Sequence, residues 1–352
     1  MDKKLAILGA GANGSCIGAD LTQAGYDVVL IDQWPAHVEA MKANGLRITM
    51  IRTGEELQIP VKAIHLCELA STKPEFDIVF LVCKSYDTSW MVELIKPYLK
   101  SNGVVVSVQN SMNNEWITPI LGAERQIACA AELSSEMREP GCIRRNTPQN
   151  GSYFAIGELD GKITPRLEEI AGIMGQVGKT EIKTNIWATK WSKLVHSTSS
   201  LTVNPIFGTT AKEMRENPRY WRFIVRLGTE TARVGEAAGY PLEPAFGLTE
   251  ADFNCPIEEK VEKILLKIAA DLERKPVGQV KIGESRSAIL QDLVKGRRTE
   301  TDYINGYVVR KGREVNVPTP LNEKICSLTK EIEQGQRKYM DRANLKEIEP
   351  YL

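Results

Sequence analysis

The hydrophobic pattern divides the chain into two parts. Up to about residue 186, runs rich in Val, Ile, Leu and Phe recur at residues 4–8, 27–31, 76–82 and 103–108, with helix-compatible segments between them. Nearly continuous apolar runs, without strict alternation of apolar and polar residues, are typical of strands in a parallel sheet that is covered on both faces. The first part therefore predicts an α/β domain with a doubly wound sheet.

Beyond residue 186 the strand pattern stops, and apolar residues recur at helical spacing. Helices are predicted over residues 187–198, 221–238, 257–274, 285–295, 299–311 and 323–337. A chain of 352 residues exceeds what one compact core usually holds. We therefore expect two domains, residues 1–186 and an all-helical domain of residues 187–352 for substrate binding, catalysis and dimerisation. The active site is expected in the cleft between them, beside the carboxyl ends of the strands.

A glycine-rich segment, Gly-Ala-Gly-Ala-Asn-Gly, follows the first apolar run and precedes a helix-compatible segment. In such a segment the first glycine allows a tight turn, the second allows close approach of a pyrophosphate, and the third allows the helix to pack on the strand. The predicted phosphate-binding residues are Gly9, Gly11, Ala12, Asn13 and Gly14. The spacing indicates a Rossmann-type dinucleotide-binding domain; a glycine turn in another α/β protein is the alternative.

The second apolar run ends on Asp32, roughly twenty residues after the loop. A carboxylate at this place accepts a hydrogen bond from the ribose 2′-OH of NAD and repels the 2′-phosphate of NADP. The following residues, Gln33 and Trp34, bring no cation. This favours NAD, although a close approach of Lys42 or of a distant arginine would make NADP possible. A simple strand-end cap is the alternative role for Asp32.

Composition excludes several classes of partner. The chain has 45 Lys and Arg and 45 Asp and Glu residues, so there is no excess positive charge to attract nucleic acid. No apolar run approaches membrane-spanning length, and the first residues do not resemble a targeting peptide, so we expect a cytoplasmic protein. Seven scattered cysteines and three histidines predict no metal site. The expected partners are a small-molecule substrate and a second copy of the chain in a homodimer.

Polar residues follow the two later strand runs: Lys84 after one, and Asn110 after the next. Polar side chains at the ends of buried strands must face water, a ligand or each other. We therefore predict that both contact cofactor or substrate. A solvated lysine and an Asx-turn asparagine are the alternatives. A third polar segment, Lys-Trp-Ser-Lys-Leu at 190–194, opens the helical part.

Together these motifs resemble the ketopantoate reductase family (2-dehydropantoate 2-reductases). The shared features are the loop at 9–14, Lys84, Asn110 with Ser111 and Met112, residues 190–194, Leu-Gln-Asp at 290–292, Gly-Arg at 296–297, Thr-Glu-Thr-Asp-Tyr-Ile-Asn-Gly at 299–306 and Pro-Thr-Pro-Leu-Asn at 318–322. The resemblance covers nearly the whole chain. It implies a Rossmann domain, a helical domain and a nicotinamide cofactor.

The resemblance also implies roles for individual residues. The lysine that matches Lys193 donates a proton to the carbonyl being reduced, and the glutamate that matches Glu300 helps to hold the reacting oxygen. Lys84 and Asn110 match residues that work around cofactor and substrate. The chemistry agrees, because hydride transfer to a ketone leaves an oxyanion, which a lysine can both stabilise and protonate. A helix–helix salt bridge between Lys193 and Glu300 is the structural alternative.

Three positions depart from the family pattern. Where the family has asparagines four and eight residues after the lysine and a serine before its Met-Leu-Gln-Asp segment, this chain has Ser197, Leu201 and Ala288. Lost hydrogen-bond partners weaken recognition of a polar substrate, which predicts a substrate other than ketopantoate. Nearby side chains that could replace the lost donors are His196, Ser199, Ser200 and Ser287. Ser197, Ser287 and His196 are the tentative substrate contacts.

The sequence thus predicts an NAD-dependent oxidoreductase that transfers a hydride between nicotinamide and the carbonyl or secondary alcohol of a small polar substrate, a keto or hydroxy acid. The family also carries a cation for NADP after its second strand, where this chain has Gln33. Two alternatives stay open: a genuine NADPH-dependent 2-dehydropantoate 2-reductase, and an NAD-binding sensor without catalysis. The segment 246–279 is longer than the family's usual connection, and we expect it to form a lid or a dimer contact.

Overall fold

The computed structural model describes residues 3–244, 247–272 and 286–352. These residues form two compact units, residues 3–186 and residues 187–272 with 286–352. Part of the expected lid or dimer segment 246–279 lies outside the described residues. So do the predicted end of one helix at Arg274 and the predicted start of another at Ser285.

The first unit contains both strands and helices. Its strands are β1 (Lys4–Leu8), β2 (Asp27–Asp32), β3 (Leu46–Met50), β4 (Glu56–Ile59), β5 (Lys62–His65), β6 (Phe76–Leu81), β7 (Leu99–Ser107), β8 (Gln126–Glu132), β9 (Ser135–Glu139), β10 (Cys142–Arg145), β11 (Tyr153–Gly157) and β12 (Lys179–Ile182). Its α-helices are α1 (Ala12–Gln23), α2 (Pro35–Asn44), α3 (Glu68–Thr72), α4 (Thr88–Ile95), α5 (Asn114–Leu121) and α6 (Pro165–Met174).

The main sheet has the strand order β12-β11-β8-β7-β6-β1-β2-β5. Its neighbouring strands run parallel, except that β8 and β11 are antiparallel. The chain passes from β1 to β2 on one side and later to β6 on the other, so the order reverses at β1. In doubly wound sheets, ligands bind outside the carboxyl ends of the strands at such a reversal.

Burial explains why these strands are nearly continuous in apolar residues instead of alternating. Successive side chains of a strand point to opposite faces. Leu5 and Ile7 of β1 belong to one buried cluster, which also includes Leu30. Ala6 and Leu8 belong to a second cluster, which includes Ile31. Both faces of the central strands are therefore buried. The predicted α/β doubly wound fold is confirmed.

A second sheet in this unit was not predicted. It has the order β4-β3-β10-β9, and in its parallel pair Ile48 of β3 lies opposite Ile143 of β10. These strands are short and partly exposed, so they lack the continuous apolar pattern of the main sheet. The pairing joins distant parts of the chain, which periodicity does not reveal.

The described residues that follow the first unit form helices and no strand. The helices are α7 (Ile186–His196), α8 (Val203–Phe207), α9 (Ala211–Glu216), α10 (Pro218–Ala237), α11 (Ile257–Leu272), α12 (Ala288–Val294), α13 (Asn305–Glu314) and α14 (Pro320–Glu333). The predicted all-helical second part is confirmed. Within the described ranges, none of the helices has the length and apolar character needed to cross a membrane.

Two predicted helices have the wrong bounds: the helix predicted over residues 323–337 is α14, Pro320–Glu333, and the helix predicted over residues 299–311 begins later than expected. The structure has a 3₁₀ turn at Thr301–Tyr303, and α13 begins only at Asn305. Ile304 between them has φ −99° and ψ −86°, which is outside the helical region. The break separates Glu300 from α13, so Glu300 lies in an irregular segment rather than on a helix.

Candidate dinucleotide loop and catalytic residues

The three glycines of the loop between β1 and α1 have different physical roles. Gly9 has φ +93°, and a Cβ on it would lie 2.7 Å from the backbone nitrogen of Cys83, just after β6. A Cβ on Gly14 would overlap the carbonyl oxygen of Gly9. Around Gly11, by contrast, no described atom lies within 4 Å of a Cβ position. The loop is therefore packed on one side and open at Gly11, as close approach of a pyrophosphate requires.

His37 of α2 forms a hydrogen bond to the glycine-rich loop and helps to fix its backbone. Its Nδ1 accepts a hydrogen bond of 2.9 Å from the backbone N–H of Gly141. The ring proton must then be on Nε2, which lies 2.8 Å from the carbonyl oxygen of Ala10 and donates to it. The hydroxyl of Ser15 donates to the same oxygen at 2.8 Å. The backbone between Gly9 and Gly11 is thus fixed by two side chains.

The second sheet contacts α1 at both ends. Ser135 of β9 donates to Asn13 Oδ1 at 2.6 Å, and Arg145 of β10 donates to Asp20 Oδ2 at 2.7 Å. Both members of the Asp20–Arg145 pair are buried. Burial raises the pKa of Asp20 to about 6, and the arginine charge opposes that rise. The small sheet therefore supports the helix whose first N–H groups have no partner within the helix and can bind an anion.

Asp32 ends β2 and is buried. Its Oδ1 accepts a hydrogen bond of 2.8 Å from the backbone N–H of Trp34, so the strand-end cap considered above is present. A carboxylate has about four acceptor sites, so capping is compatible with binding a ribose hydroxyl. Lys42 donates to Glu68 at 2.8 Å and lies 3.4 Å from Glu39. The hydrogen bond to Glu68 is the main cause that raises the pKa of Lys42.

The loops that carry Lys84 and Asn110 are joined by amide side chains. Gln109 donates to the carbonyl oxygen of Cys83 at 3.0 Å. Asn113 donates to Ser85 Oγ at 3.0 Å and to the carbonyl oxygen of Asn110 at 2.7 Å. Because Cys83 also packs on Gly9, the structure brings the glycine loop, the Lys84 loop and the Asn110 loop together at one edge of the main sheet.

Ser111 follows Asn110 and has φ +65°. Left-handed backbone is unfavourable for residues with a Cβ, and such residues concentrate at functional sites. The family resemblance places a glycine in the matching turn, so this chain keeps the conformation without the residue that most easily adopts it.

In the second unit, Lys193 lies in the last turn of α7 and is partly buried. The neighbouring Trp191 fixes this helix. Its indole is fully buried, donates to the carbonyl oxygen of Thr231 at 2.8 Å and stacks on Tyr240 with 5.4 Å between ring centroids. The aromatic residue of the Lys-Trp-Ser-Lys-Leu segment therefore anchors α7 in the core, while Lys193 reaches its edge.

His196 is buried beside Lys193. Its Nε2 lies 2.7 Å from Ser200 Oγ, and that hydroxyl donates to the His196 carbonyl oxygen at 2.8 Å. Nε2 must therefore carry the ring proton, and Nδ1 is a buried acceptor with no partner among the described residues. Burial, assisted by the Lys193 charge, lowers the pKa of His196 well below its usual value. The ring is neutral at pH 7.

The residues after His196 form a single π-helical turn, Ser197–Leu201. Such turns are rare and often occur at functional sites. Ser197 donates to the Lys193 carbonyl oxygen at 3.0 Å, and Ser199 donates to that of Val195 at 3.0 Å. Ser287 caps α12 and donates to the Leu201 carbonyl oxygen at 3.1 Å. A hydroxyl has one proton, so in this arrangement these serines remain available to a ligand only as acceptors.

Glu300 is buried, immediately before the 3₁₀ turn. Asn305, at the start of α13, donates to the Thr198 carbonyl oxygen at 3.2 Å and to Asn322 Oδ1 at 3.0 Å. The segment with Glu300 is therefore tied to the π-helical turn that continues the helix of Lys193. Sequence reasoning missed Asn305 as a positioning residue, although it lies in a segment quoted for the family resemblance.

Sequence reasoning also missed His37 and Ser135, which fix the dinucleotide loop. Their contacts join residues that are far apart in the chain, so no local motif marks them. Three histidines occur in the chain, and this scarcity was the only available signal for His37. Within the described ranges, no group of His, Cys, Asp and Glu side chains is arranged to hold a metal ion.

The residues present fit a nicotinamide dinucleotide, because the loop is open at Gly11, lies at a helix N-terminus and occupies the reversal point of a Rossmann sheet. These features define the class, a Rossmann-type dinucleotide-binding protein. Residues 5–161 match the family model for ketopantoate reductase PanE/ApbA, and residues 185–333 match the model for its C-terminal part. The chain belongs to the ketopantoate reductase family, as its motifs predicted, and is an NAD(P)-dependent oxidoreductase acting on CH–OH groups.

Individual relatives agree with this assignment. A 2-dehydropantoate 2-reductase of Archaeoglobus fulgidus is 27% identical over 335 residues, which are 95% of this chain and 99% of that protein. The crystal structure of a PanE/ApbA family ketopantoate reductase from Ralstonia eutropha has a TM-score of 0.76 and 26% identity, covering 95% of this chain and 99% of that one. A D-mandelate dehydrogenase with NADH and anilino(oxo)acetate has a TM-score of 0.78 and 21% identity, covering 94% and 99%, and shares the fold.

Proposed function

We propose that this protein is an NAD-dependent dehydrogenase of a small keto or hydroxy acid whose substituent is less polar than that of ketopantoate. The main observation that supports the proposal is the carboxylate side chain at the carboxyl end of β2. Asp32 stands there, Gln33 follows it, and the one lysine considered as an NADP-binding cation, Lys42, is bound to Glu68 and Glu39. Asp32 would repel the 2′-phosphate of NADP, and Lys42 would not compensate for this repulsion because it is already paired with two acids.

The bound nicotinamide supplies the hydride. Lys193 donates the proton to the carbonyl oxygen and stabilises the negative charge that develops there. His196 is an unsuitable proton donor, because its pKa is lowered well below the usual value and Nε2–H is bonded to Ser200. Glu300 orients the Lys193 ammonium. Lys84 and Asn110 contact the cofactor and the substrate.

The substrate part of the proposal is supported by the serines around the π-helical turn. Ser197 and Ser287 donate to backbone carbonyls, so they are poor replacements for the amide and hydroxyl donors that the family has at or next to these positions. Leu201 offers apolar surface instead. A protein of the same fold is named as a D-mandelate dehydrogenase and holds NADH, which supports an NAD-linked hydroxy-acid substrate with a larger apolar group.

A genuine 2-dehydropantoate 2-reductase is the second candidate. Relatives with that name match almost the whole chain, at 27% identity for the Archaeoglobus fulgidus protein. This candidate requires Ser197, Ser199 or Ser287 to turn its hydroxyl toward the substrate and give up its backbone hydrogen bond.

Steady-state kinetics with NADH and NADPH tests the cofactor part. We expect wild type to have the higher kcat/KM with NADH, and Asp32→Ala to narrow the difference, because the carboxylate both binds the 2′-OH and repels the 2′-phosphate. Asp27→Ala is the matched control, because Asp27 is an exposed acid at the other end of β2. A wild-type preference for NADPH of tenfold or more, about 1.4 kcal/mol, would contradict the proposal.

A further inference from the structure

Asp87 is a carboxylate next to the cofactor loops that no step above uses. It ends the 3₁₀ turn Ser85–Asp87 after Lys84 and is the N-cap residue of α4, yet its side chain makes no capping hydrogen bond. Its usual structural role at such a position is therefore absent. Instead, Oδ2 lies 3.4 Å from Gln33 Nε2, and Oδ1 accepts a hydrogen bond of 2.7 Å from Trp90 Nε1.

These two contacts place the charge of Asp87 beside the end of β2. Gln33 directly follows Asp32, and its side chain is exposed. The donors from Gln33 and Trp90 are both neutral, so they fix the carboxylate without neutralising it. Trp90 is 41% exposed, which places the group at the surface rather than in a core. A fixed, charged acceptor thus lies within reach of the residue next to the predicted ribose-binding carboxylate.

We propose that Asp87 is a second cofactor-selecting residue, which disfavours NADP by repelling the 2′-phosphate next to Gln33. The inference rests on the NAD preference proposed above and extends it to a loop from another strand. A 2′-phosphate carries nearly two negative charges, whereas the 2′-OH of NAD carries none. Repulsion from Asp87 therefore acts on one cofactor only. Asp32 accepts the ribose hydroxyl, and Asp87 acts through its charge at a greater distance.

Direct binding measures this effect without turnover. Calorimetric Kd values for NADPH and NADH are compared for wild type, Asp87→Asn and Asp87→Glu at low and high salt. We expect Asp87→Asn to bind NADPH roughly threefold or more tightly at about 20 mM salt, with NADH changed by less than about twofold. Asp87→Glu keeps the charge and should retain the wild-type selectivity. At about 500 mM salt the gain for NADPH should largely disappear.

Asp27→Asn is the control for the loss of one exposed carboxylate, because Asp27 lies at the opposite end of β2 from Asp32 and pairs with Lys62 at 2.6 Å. At physiological salt the distance between Asp27 and Asp32 exceeds the Debye length of about 8 Å, so Asp27→Asn should leave both Kd values unchanged there, and at about 20 mM salt it should change the Kd of NADPH by less than Asp87→Asn does. An equal effect of Asp87→Asn on NADH and NADPH, or no effect on either, would overturn the role of Asp87. Wild type binding NADPH more tightly than NADH would instead overturn the proposed NAD preference, whatever Asp87→Asn does.

Discussion

At the scale of single residues, Lys193 and His196 are neighbours on one helix that differ in burial and therefore in their suitability as proton donors. His196 is surrounded by protein, and desolvation keeps it neutral. Lys193 lies at the partly exposed edge of the same helix. A neutral imidazole is a much weaker acid than an ammonium group, so it is the poorer proton donor to an oxyanion. Lys193, the less buried of the two, is therefore the better candidate for the proposed proton transfer.

Replacing Lys193 tests this assignment. Lys193→Ala should lower kcat roughly a hundredfold or more, because both the proton donor and the positive charge at the developing oxyanion are lost. The Kd of NADH should change little, because the predicted dinucleotide contacts belong to the loop at residues 9–14. Stopped-flow or steady-state kinetics with calorimetric NADH binding measures both quantities.

Lys212→Ala is the matched control for this prediction. Lys212 is an exposed lysine of α9 that pairs with Glu216 at 3.6 Å, so its loss changes the net charge equally without touching α7. It should leave kcat unchanged. Near-normal turnover in Lys193→Ala would instead show that this lysine is only a member of a structural ion pair.

The sequence was informative about residues whose role follows from the local chain. Gly9, Gly11 and Gly14 were assigned by spacing, and the structure gives each the packing that spacing predicted. The hydrogen-bond partners of the serine hydroxyls, by contrast, were not predicted from the sequence. Ser287 was considered a substrate donor, but it caps α12 and donates to Leu201. A side chain's hydrogen-bond partner is decided by the nearest backbone, which a linear pattern does not specify.

At the scale of elements, the small sheet β4-β3-β10-β9 supports the cofactor loop. Gly141, in the turn between β9 and β10, fixes His37, and His37 fixes Ala10. Ser135 and Arg145 contact the two ends of α1. The loop that would hold a pyrophosphate is thus prearranged by an element that contributes no residue to the predicted motif. Prearranged loops bind more tightly because less ordering is needed on binding.

His37→Ala tests this support. It leaves the Gly141 N–H without its acceptor and removes one donor from Ala10, so the loop should lose its fixed conformation. We expect the KM for NADH to rise roughly tenfold, about 1.4 kcal/mol, while kcat stays within about twofold. Steady-state titration of NADH at saturating substrate measures the split.

Thr164→Ala separates this effect from general destabilisation. Thr164 caps α6 in the same unit and accepts from the Leu167 N–H, so its loss should lower the melting temperature by removing about 1 kcal/mol. It should not change the KM for NADH. If His37→Ala lowers the melting temperature and leaves the KM for NADH unchanged, His37 supports the fold but not the cofactor loop.

At the same scale, some strands were predicted from the sequence, whereas other strands and one helix boundary were not. The long buried strands β1, β2, β6 and β7 were found because both of their faces are dry. Strands β3 and β10 have exposed positions and pair across a long stretch of chain, so their pattern is weak and their partner is not local. The break at Ile304 was missed because the residues on both sides are compatible with a helix.

At the scale of the whole molecule, family membership establishes the type of enzyme but neither its substrate nor its choice between NAD and NADP. The family models match residues 5–161 and 185–333, which establishes an oxidoreductase of this family. They do not distinguish a ketopantoate reductase from a hydroxy-acid dehydrogenase of the same fold. We propose that this distinction depends on a few residues, namely Asp32 at the acidic end of β2 and the side chains at positions 197, 201 and 288.

The most direct test is a comparison of kcat/KM for ketopantoate and for a less polar 2-keto acid, phenylglyoxylate, each with NADH and NADPH. Each missing donor should cost on the order of 1 kcal/mol or more in transition-state binding. We predict that phenylglyoxylate with NADH gives the highest value and that ketopantoate is a poor substrate with either cofactor. Ketopantoate reduction with NADPH at about 10⁴ M⁻¹s⁻¹ or above, exceeding that of phenylglyoxylate with NADH, would contradict it.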